Sequence, residues 1–480
     1  MTRSPVSASA HLYLCIDQGG HASRALVFDG CGVLQAGALR EVAVHSPQPD
    51  WVEQDPEELV ASLKAVIAEA VEALGQRADA IAGAGIATQR SSIVCWDRHS
   101  GEALSPVLSW QDRRAQAWLG RFAARAGEIH QRTGLRLSAH YGASKLRWCL
   151  EHLPAVAGAA RTRRLAMGPL ASFLLFRLLA ENPLLADPAN AARTLLWNIR
   201  TLNWDPELLE LFGAASETLP RCVPTRYPFG TLSVNEHRIP LTIATGDQSA
   251  ALFSLGAPQP GTAYINLGTG AFIQRVFNQA PEAAGLLTGV VYRDADRAVL
   301  VLEGTVNGAG AALQWAEREW GLENIQAHLP EWLASAGDMP LFLNGVGGLG
   351  APFWSAEFGS RLVGNGEPWQ KAVAVVESIV FLLQTNLELM QKLPPAPARL
   401  VVSGGLARYD GLCQRLSDLS GLALYRPAEH EATARGTAYL LAGFPGDWPE
   451  EKPGTPFAPK QNTGLRQRYQ RWRAEMQRAL

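Results

Sequence analysis

The sequence predicts an α/β protein that consists of two similar domains. An apolar segment, a glycine turn and a second apolar segment occur in this order at 11–28, and the same order returns at 262–276. Apolar residues with helical spacing follow the first of these, at 56–74. Glycine and proline crowd the chain at 250–261, as they do at many domain boundaries. The repeated order therefore indicates two like domains that meet near 250–261.

The composition is that of an ordinary globular protein. The chain has 480 residues, which at about 150 residues per domain suggests two to four domains, and 47% of them are hydrophobic. The 43 Lys and Arg residues balance the 45 Asp and Glu residues, so the formal charge is −2 and no basic field favours nucleic acid as a partner. The six cysteines form no CxxC pair and have no metal-ligand spacing, which is typical of buried thiols in a reducing compartment.

No segment of the chain predicts export or a membrane span. The first ten residues lack the apolar region of a secretory signal. The apolar run at 165–180 is interrupted by Ser172 and Arg177 and is too short to cross a bilayer, so it predicts a core helix. We therefore expect a cytoplasmic protein with no membrane and no nucleic-acid partner. Its oligomeric state, a homo-oligomer included, stays open.

The first half is predicted to begin with three strands in meander order, at 11–44. Asp55 and Pro56 then predict the N-cap and the first position of the helix at 56–74. A short apolar run at 81–86 follows and predicts a buried strand.

The second half is predicted to continue, after its own strand pair, with a strand at 399–402 and a helix of small residues at 431–441. A basic amphipathic helix is predicted at 465–480, with its charges on a solvated face. These elements divide the chain into a flexible leader at 1–10, an N-terminal domain at 11–250, a C-terminal domain at 256–445 and a tail at 446–480.

Three glycine turns each follow an apolar strand, at Gly19–Gly20, Gly268–Gly270 and Gly404–Gly405. None of them matches the Walker pattern, and none opens a helix as the dinucleotide-binding GxGxxG pattern does. The bare N–H groups of such turns can still hold phosphate oxygens. The alternative is that these glycines only permit tight turns. Three turns in two like halves favour one nucleotide bound between two domains.

Two aspartates follow strands and are candidates for chemistry. Asp17 ends the first strand, just before its glycine turn, and could hold Mg²⁺ against phosphates; the alternative is an Asx-turn. Asp247 lies between a predicted strand at 241–244 and a predicted helix at 249–255, and it could accept the proton of a substrate hydroxyl. The alternative for Asp247 is a helix N-cap, which spacing alone favours.

Two further residues suit a polyol ligand. Arg90 follows the strand at 81–86, and Trp110 follows an apolar run at 106–109. An indole face and a guanidinium group fit a molecule that presents both C–H faces and hydroxyls. The alternative is that Trp110 belongs to the core and Arg90 to a surface ion pair.

Together these motifs resemble those of the FGGY carbohydrate kinases, and within that family the glycerol kinases most closely. The resemblance covers nearly the whole chain, from residue 11 to the last helix. Many separate motifs in the family's order are far more specific than one glycine loop. The matching segments are IDQGGHASRALVFD (16–29), WVEQDP (51–56), TQR (88–90), SWQDRR (109–114), NAARTLLWNIRTLNWD (190–205), GDQSAALF (246–253), LGTGAF (267–272), GAGAALQW (308–315) and GGLGAPFW (347–354).

The resemblance implies two actin-like (ribonuclease H-like) α/β domains, with ATP and Mg²⁺ in the cleft between them, and phosphoryl transfer to a polyol or sugar hydroxyl. It implies that Asp247 is the general base and Asp17 the Mg²⁺-linked carboxylate. The positions that match the family's nucleotide site are Gly19, Gly20, His21 and Arg24 in the first phosphate loop, Gly268, Thr269 and Gly270 in the second, and Gly310, Gln314, Gly404, Gly405 and Tyr409 near the adenosine. The positions that match the acceptor pocket are Arg90, Ser91, Trp110, His140, Asp247, Gln248 and Phe272.

Several positions depart from the glycerol kinase pattern. Ser91 stands where a glutamate is usual and His140 where a tyrosine is usual, and both positions contact glycerol hydroxyls in those enzymes. A carboxylate accepts two hydroxyl hydrogen bonds, which a serine cannot do, and its loss opens volume for a longer polyol or a ketose. The first phosphate loop reads Gly20-His21-Ala22 where two threonines and a serine are usual, so hydroxyl donors are lost there. Tyr409 replaces an asparagine after the last glycine turn, and the segment at 364–370 is shorter than the corresponding family signature.

The leading hypothesis is therefore an ATP-dependent carbohydrate kinase whose acceptor is glycerol or a longer polyol or ketose. One alternative is another actin-like phosphotransferase or a phosphatase, against which the TQR and SWQDRR motifs argue. The other is a nucleotide-binding regulator without catalysis. The weakened first phosphate loop favours the regulator, and the retained Asp17 and Asp247 argue against it.

Overall fold

The structure is a computed structural model, and it describes residues 11–279, 281, 284–335, 337–428, 431–450 and 452–480. The leader predicted at 1–10 lies outside the described residues. The strands are β1 (Leu12–Gln18), β2 (Ala22–Asp29), β3 (Leu34–Glu41), β4 (Glu53–Gln54), β5 (Ile81–Thr88), β6 (Ile93–Asp97), β7 (Val107–Leu108), β8 (Leu165–Pro169), β9 (Leu185–Ala186), β10 (Trp197–Asn198), β11 (Asn203–Trp204), β12 (Arg221–Cys222), β13 (Arg226–Val234), β14 (His237–Gly246), β15 (Thr262–Leu267), β16 (Ala271–Phe277), β17 (Leu287–Arg293), β18 (Ala298–Val306), β19 (Leu341–Leu343), β20 (Arg361–Val363), β21 (Arg399–Ser403), β22 (Ala423–Arg426) and β23 (Thr455–Phe457). The α-helices are α1 (Pro56–Glu72), α2 (Gln116–Leu119), α3 (Ala126–Thr133), α4 (Gly142–His152), α5 (Pro154–Arg161), α6 (Leu170–Leu178), α7 (Pro188–Ala191), α8 (Pro206–Phe212), α9 (Asp247–Ala251), α10 (Gly310–Trp320), α11 (Ile325–Ala334), α12 (Pro368–Gln391), α13 (Asp410–Ser420), α14 (Ala432–Leu441) and α15 (Thr463–Ala479).

The first half is built on a mixed sheet of six strands, in the order β13-β14-β5-β1-β2-β3. The predicted meander of β1, β2 and β3 is confirmed, and β5 and β14 continue the sheet parallel to β1. The predicted start of α1 is confirmed as well. Asp55 is its N-cap and accepts a hydrogen bond from the backbone N–H of Glu57, and Pro56 occupies its first turn.

The second half repeats this topology. Its sheet contains β18-β16-β15-β21-β22, in which β16 pairs antiparallel with both β15 and β18, and β21 and β22 run parallel to β15. Strand β17 precedes β18 in sequence and pairs with its outer side. The order corresponds strand for strand to β3-β2-β1-β5-β14 of the first half. The similarity of the two segments at 11–28 and 262–276 therefore reflects two sheets of the same design, as predicted.

The small-residue helix α14 packs against α9 and against β1 and β5 of the first sheet. A Cβ atom on Gly436 would lie 1.9 Å from the carbonyl oxygen of Ala250, so this close approach requires glycine. Thr433 of the same helix donates a hydrogen bond to the carbonyl oxygen of Asp247 at 3.4 Å. The helix thus joins the two halves directly beside a candidate catalytic residue.

Two sequence predictions were wrong. The run at 165–180 is not one helix: its first part is β8, which pairs antiparallel with β6, and only the second part is helical, as α6. A continuous apolar run does not distinguish a buried strand from a helix, and here pairing with β6 decides for the strand. The helix predicted at 249–255 instead begins at Asp247 and ends at Ala251, with Gly246 as its N-cap.

The C-terminal segment packs on the second domain. Helix α15 buries Leu465, Tyr469, Trp472 and Met476 in the same core as α12. Not all of its charges are solvated, because Arg468 pairs with the buried Glu377 of α12. Within the described residues, α12 is the helix long and apolar enough to cross a membrane, and 83% of its most apolar window is buried inside the protein, which is typical of a core helix.

Candidate functional site

A cleft of about 960 Å³ lies between the two domains. Parallel strands place their carboxyl ends at the same edge of a sheet, and the cleft lies at this edge in both domains. Its walls come from both halves of the chain. The first domain contributes Asp17, Arg24, Asp247 and Gln248, and the second contributes Asn266, Phe272, Gln274, Ser403, Gly404, Gly405, Arg408 and Arg426.

Asp17 and Asp247 come together because of sheet topology. Asp17 lies near the end of β1 and Asp247 directly after β14, and both strands run parallel to β5 between them. The two carboxylates interact electrostatically. Burial, and after it the negative charge of Asp247, raise the pKa of Asp17 to about 7. Spacing alone had favoured a helix N-cap for Asp247, and the structure assigns that role to Gly246.

Asp17 has one free oxygen. Its Oδ2 accepts a hydrogen bond from Arg24 Nη1 at 3.4 Å, while its Oδ1 is buried and has no hydrogen-bond partner. A buried carboxylate oxygen without a donor is suited to a cation. Among the residues that the structure describes, no three His, Cys, Asp or Glu side chains cluster as a metal site, so a cation here would depend on oxygens from a ligand.

Asp247 is half-buried and its Oδ1 accepts a hydrogen bond from the backbone N–H of Gln248 at 2.6 Å. Burial raises the pKa of Asp247 above its usual range, while the positive charge of Arg90 lowers it. The carboxylate is thereby made more basic than an exposed aspartate but stays close to a counter-charge, a combination suited to accepting a proton.

Arg90 belongs to a buried charge cluster that the sequence analysis missed. Its Nη2 donates to Gln248 Oε1 and lies 3.5 Å from Glu303 Oε2. Both Glu303 oxygens accept hydrogen bonds from Arg193 Nη2 at 2.9 Å, and Gln274 Nε2 donates to Oε2 at 2.7 Å. Because Arg90 and Arg193 belong to the first domain and Glu303 to the second, this cluster, the Glu303 cluster, crosses the domain boundary. It lies behind Gln248 and Gln274, which line the cleft.

Of the predicted acceptor residues, Gln248 and Phe272 line the cleft, and Trp110 and His140 lie near the first glycine turn. Trp110 and His140 are 5.8 Å apart between ring centroids, and a Cβ on Gly20 would lie 3.8 Å from Trp110 Nε1. Burial, followed by the charge of Arg113, holds the pKa of His140 well below its usual value, so this imidazole is neutral. Ser91 is buried, and its Oγ has no hydrogen-bond partner.

The glycine turns of the second domain are tightly packed. Gly268 donates to the carbonyl oxygen of Gly270 at 2.9 Å, and Gly310 donates to that of Gly268 at 3.0 Å. At Gly404, φ is +94° and a Cβ would lie 2.6 Å from the carbonyl oxygen of Leu267, so only glycine fits. The Thr269 carbonyl accepts from Ala309 and from Ala311, both at 3.0 Å, which joins this turn to the start of α10.

Of the predicted nucleotide residues, Arg24, Gly404 and Gly405 line the cleft, and the other nine, His21, Gln314 and Tyr409 among them, do not. The His21 side chain is exposed, as is that of Gln314. Tyr409 is 5% exposed and donates through its hydroxyl to the carbonyl oxygen of Gln326 at 3.0 Å, so it packs in the second domain's core. The cleft is also lined by Arg408 and Arg426, which the sequence analysis missed.

Comparisons with known proteins agree with this architecture. Models of the FGGY family of carbohydrate kinases match residues 12–254 for the N-terminal domain and 263–443 for the C-terminal domain. A curated glycerol kinase of Trichlorobacter lovleyi is 36% identical over 455 residues, covering 92% of this chain and 91% of the relative. A crystal structure of Plasmodium falciparum glycerol kinase with ADP has a TM-score of 0.89 at 23% identity and covers 98% of both chains. A xylulose kinase from Brucella ovis has a TM-score of 0.87 at 21% identity, covering 98% of this chain and 99% of that one.

Proposed function

The chain belongs to the FGGY family of carbohydrate kinases and is an ATP-dependent carbohydrate kinase, and from this premise we propose that Asp247 is the base that activates the acceptor hydroxyl. The resemblance to this family and the fold that it implies, two actin-like α/β domains, are thereby confirmed. The observation that carries the proposal is the pair Asp17 and Asp247 at one sheet edge, facing Gly404 and Gly405 across the cleft. The named relatives give no support to a regulator without catalysis.

Asp247 would act by accepting the acceptor's hydroxyl proton as the oxygen attacks the terminal phosphorus of ATP. Its raised pKa makes it a stronger base, and Arg90 keeps it ionised and available. Arg90 also holds Gln248, the next residue, through a hydrogen bond. Arg90 therefore positions both the carboxylate and a neighbouring amide that can contact the acceptor.

Asp17 would hold Mg²⁺ through its unpartnered Oδ1 when the nucleotide is bound. Mg²⁺ supplies neutralisation of the phosphate charge that develops during transfer. Arg24, 3.4 Å from Asp17 Oδ2, provides a second positive group at this end of the cleft. The nucleotide itself would lie against Ser403, Gly404 and Arg408.

The preferred acceptor, we propose, is a polyol or ketose longer than glycerol. Ser91 removes the carboxylate that glycerol kinases place in this pocket, and its own hydroxyl is buried without a partner. His140 is neutral and lies against Trp110, so it offers one ring-nitrogen acceptor where a phenol is usual. A glycerol hydroxyl left without its acceptor costs about 1–3 kcal/mol, or roughly 5- to 150-fold in specificity.

The test is a comparison of kcat/KM for glycerol and for three- to seven-carbon polyols and ketoses, with ADP release as the readout. We expect wild type to prefer a longer acceptor by at least about tenfold. The double variant Ser91→Glu with His140→Tyr should shift the preference toward glycerol. A wild-type enzyme that already prefers glycerol refutes the acceptor proposal. If none of the acceptors in the panel stimulates ADP release by wild type, the proposed activity is refuted.

We also propose that the enzyme works in the cytoplasm. All six cysteines are free, and four of them are buried, as expected for a protein of a reducing compartment. Cell fractionation with an antibody against the chain tests this placement.

A further inference from the structure

Lys145 of α4 is completely buried and donates hydrogen bonds to three backbone carbonyl groups. Its Nζ lies 3.2 Å from the oxygen of Ser91, 2.7 Å from that of Ser109 and 2.8 Å from that of His140. An ammonium group has three N–H donors and no acceptor, so these three contacts use its whole hydrogen-bonding capacity.

The three carbonyl groups belong to three separate segments of the acceptor pocket. Ser91 follows Arg90 at the end of β5, Ser109 precedes Trp110 after β7, and His140 lies in the loop before α4. Lys145 is the side chain that connects all three. Its contacts are therefore directed at the backbone that carries the pocket and not at its own helix.

The backbone at Ser91 needs such support. Ser91 has φ of +66°, a left-handed conformation that costs a non-glycine residue energy and persists only where surrounding contacts hold it. Its side-chain Oγ makes no hydrogen bond, so the contact from Lys145 to its carbonyl oxygen is a direct restraint on this turn.

A purely structural role does not explain this choice of residue. Burial and then the charge of Arg113 lower the pKa of Lys145 well below its usual value, while the charge of Asp112 raises it, so a cation is costly at this position. The three carbonyl oxygens that surround Nζ are the contacts that stabilise its charged form. An apolar side chain would fill the same volume in the core without that cost. A cation is retained where three carbonyl oxygens must be drawn to one point.

We propose that Lys145 is a positioning residue for the acceptor pocket, holding the segments of Arg90–Ser91, Trp110 and His140 at the mutual distances that phosphoryl transfer requires. This inference rests on the proposed function, because it assumes that these segments bind the acceptor. It is separate from the nucleotide side of the cleft, which Lys145 does not contact through any of its three hydrogen bonds.

The test uses the full chain with Lys145→Met, which keeps an unbranched apolar stem nearly as long as that of lysine and removes all three donors. We expect kcat/KM for glycerol and for D-xylulose to fall by at least about 100-fold, since misplacement by an ångström has effects of that size. The dissociation constant of a non-hydrolysable ATP analogue should stay within about threefold of wild type. Lys145→Gln, which keeps two N–H donors on a shorter stem, should fall between Lys145→Met and wild type.

The matched control is Leu146→Ala, on the same helix and equally buried, in the core behind the pocket. It should lower the melting temperature without changing the acceptor KM of the folded enzyme. Parallel loss of analogue and acceptor binding in Lys145→Met, or a kcat/KM within about threefold of wild type, overturns the inference.

Wild type provides an independent measurement should the variants fail to fold. With ¹⁵N-labelled lysine, the Lys145 ammonium signal should shift on addition of the acceptor and not on addition of the ATP analogue, and the reverse pattern overturns the inference. If wild type phosphorylates no acceptor, the proposed function has failed instead, and the two failures are distinguishable.

Discussion

Replacing Glu303 by glutamine removes the only negative charge of the Glu303 cluster while keeping the shape of the side chain. Glu303 and both arginines are at least about nine-tenths buried, with side-chain exposures of 2% for Glu303, 5% for Arg193 and 8% for Arg90. Because Arg193 Nη2 donates to both Glu303 oxygens, the amide NH₂ group would face this donor in either orientation of the side chain. Two guanidinium groups would remain buried without their carboxylate.

The expected loss is large. At an effective dielectric of about 20, the attraction between Arg90 and Glu303 at 3.5 Å amounts to about 5 kcal/mol, and breaking a buried ion pair on one side typically costs about 3–5 kcal/mol. We therefore expect Glu303→Gln to lower the free energy of unfolding by about 3–5 kcal/mol. Unfolding in urea, followed by fluorescence at neutral pH, measures this loss.

The same substitution should change the pH dependence of catalysis. Without Glu303, the positive charges of Arg90 and Arg193 act on Asp247 unopposed, and both already lower the pKa of Asp247. The acidic limb of the kcat/KM profile should therefore move to lower pH, and the rate at neutral pH should fall because the base is weaker.

A matched control lies in the second domain's core. Glu377 is equally buried and pairs with two arginines, Arg415 at 3.3 Å and Arg468 at 2.6 Å, away from the cleft. Glu377→Gln should cost similar stability and leave the acidic limb in place. A Glu303→Gln enzyme with less than about 1 kcal/mol lost stability and an unchanged profile would refute this reasoning.

Three further outcomes are expected from the site. Asp247→Asn should reduce kcat by about 100-fold or more while the affinity for the ATP analogue barely changes, and near-normal turnover on the best acceptor would remove Asp247 from the role of base. The apparent Mg²⁺ affinity of the nucleotide complex should rise with pH up to about 7 and then level off, because Asp17 must lose its proton to bind the cation; Asp17→Asn should abolish this slope, as isothermal titration at several pH values can show. Burial raises the pKa of Glu303, but the charges of Arg193 and Arg90 outweigh burial and hold this pKa below its usual value. The stability that the ionised Glu303 provides should therefore be complete at neutral pH and be lost as the pH falls through the lowered pKa. Acid unfolding of wild type compared with Glu303→Gln measures the difference.

Local patterns were sufficient to predict the elements on which the site depends. The glycine turns, the meander at β1–β3 and the cap at Asp55 follow from neighbours in sequence, and each is confirmed. The run at 165–180 could not be divided correctly, because its strand exists only through pairing with β6, which lies some seventy residues earlier in the chain. Pairing across such a separation is a tertiary fact that periodicity does not contain.

The missed residues Glu303, Arg193 and Lys145 share a different cause. Each is a charged side chain whose role depends on partners from another segment, and the Glu303 cluster depends on how two domains meet. A signal nevertheless existed for Glu303, which is the single charge within the apolar strand sequence AVLVLEGTV of β18. A charge in the middle of a buried strand must be paired, so the strand's sequence by itself predicts a buried cationic partner for this residue. Lys145 carries no such signal, because lysines in amphipathic helices usually extend their ammonium groups to solvent, and only the three converging carbonyl oxygens distinguish it.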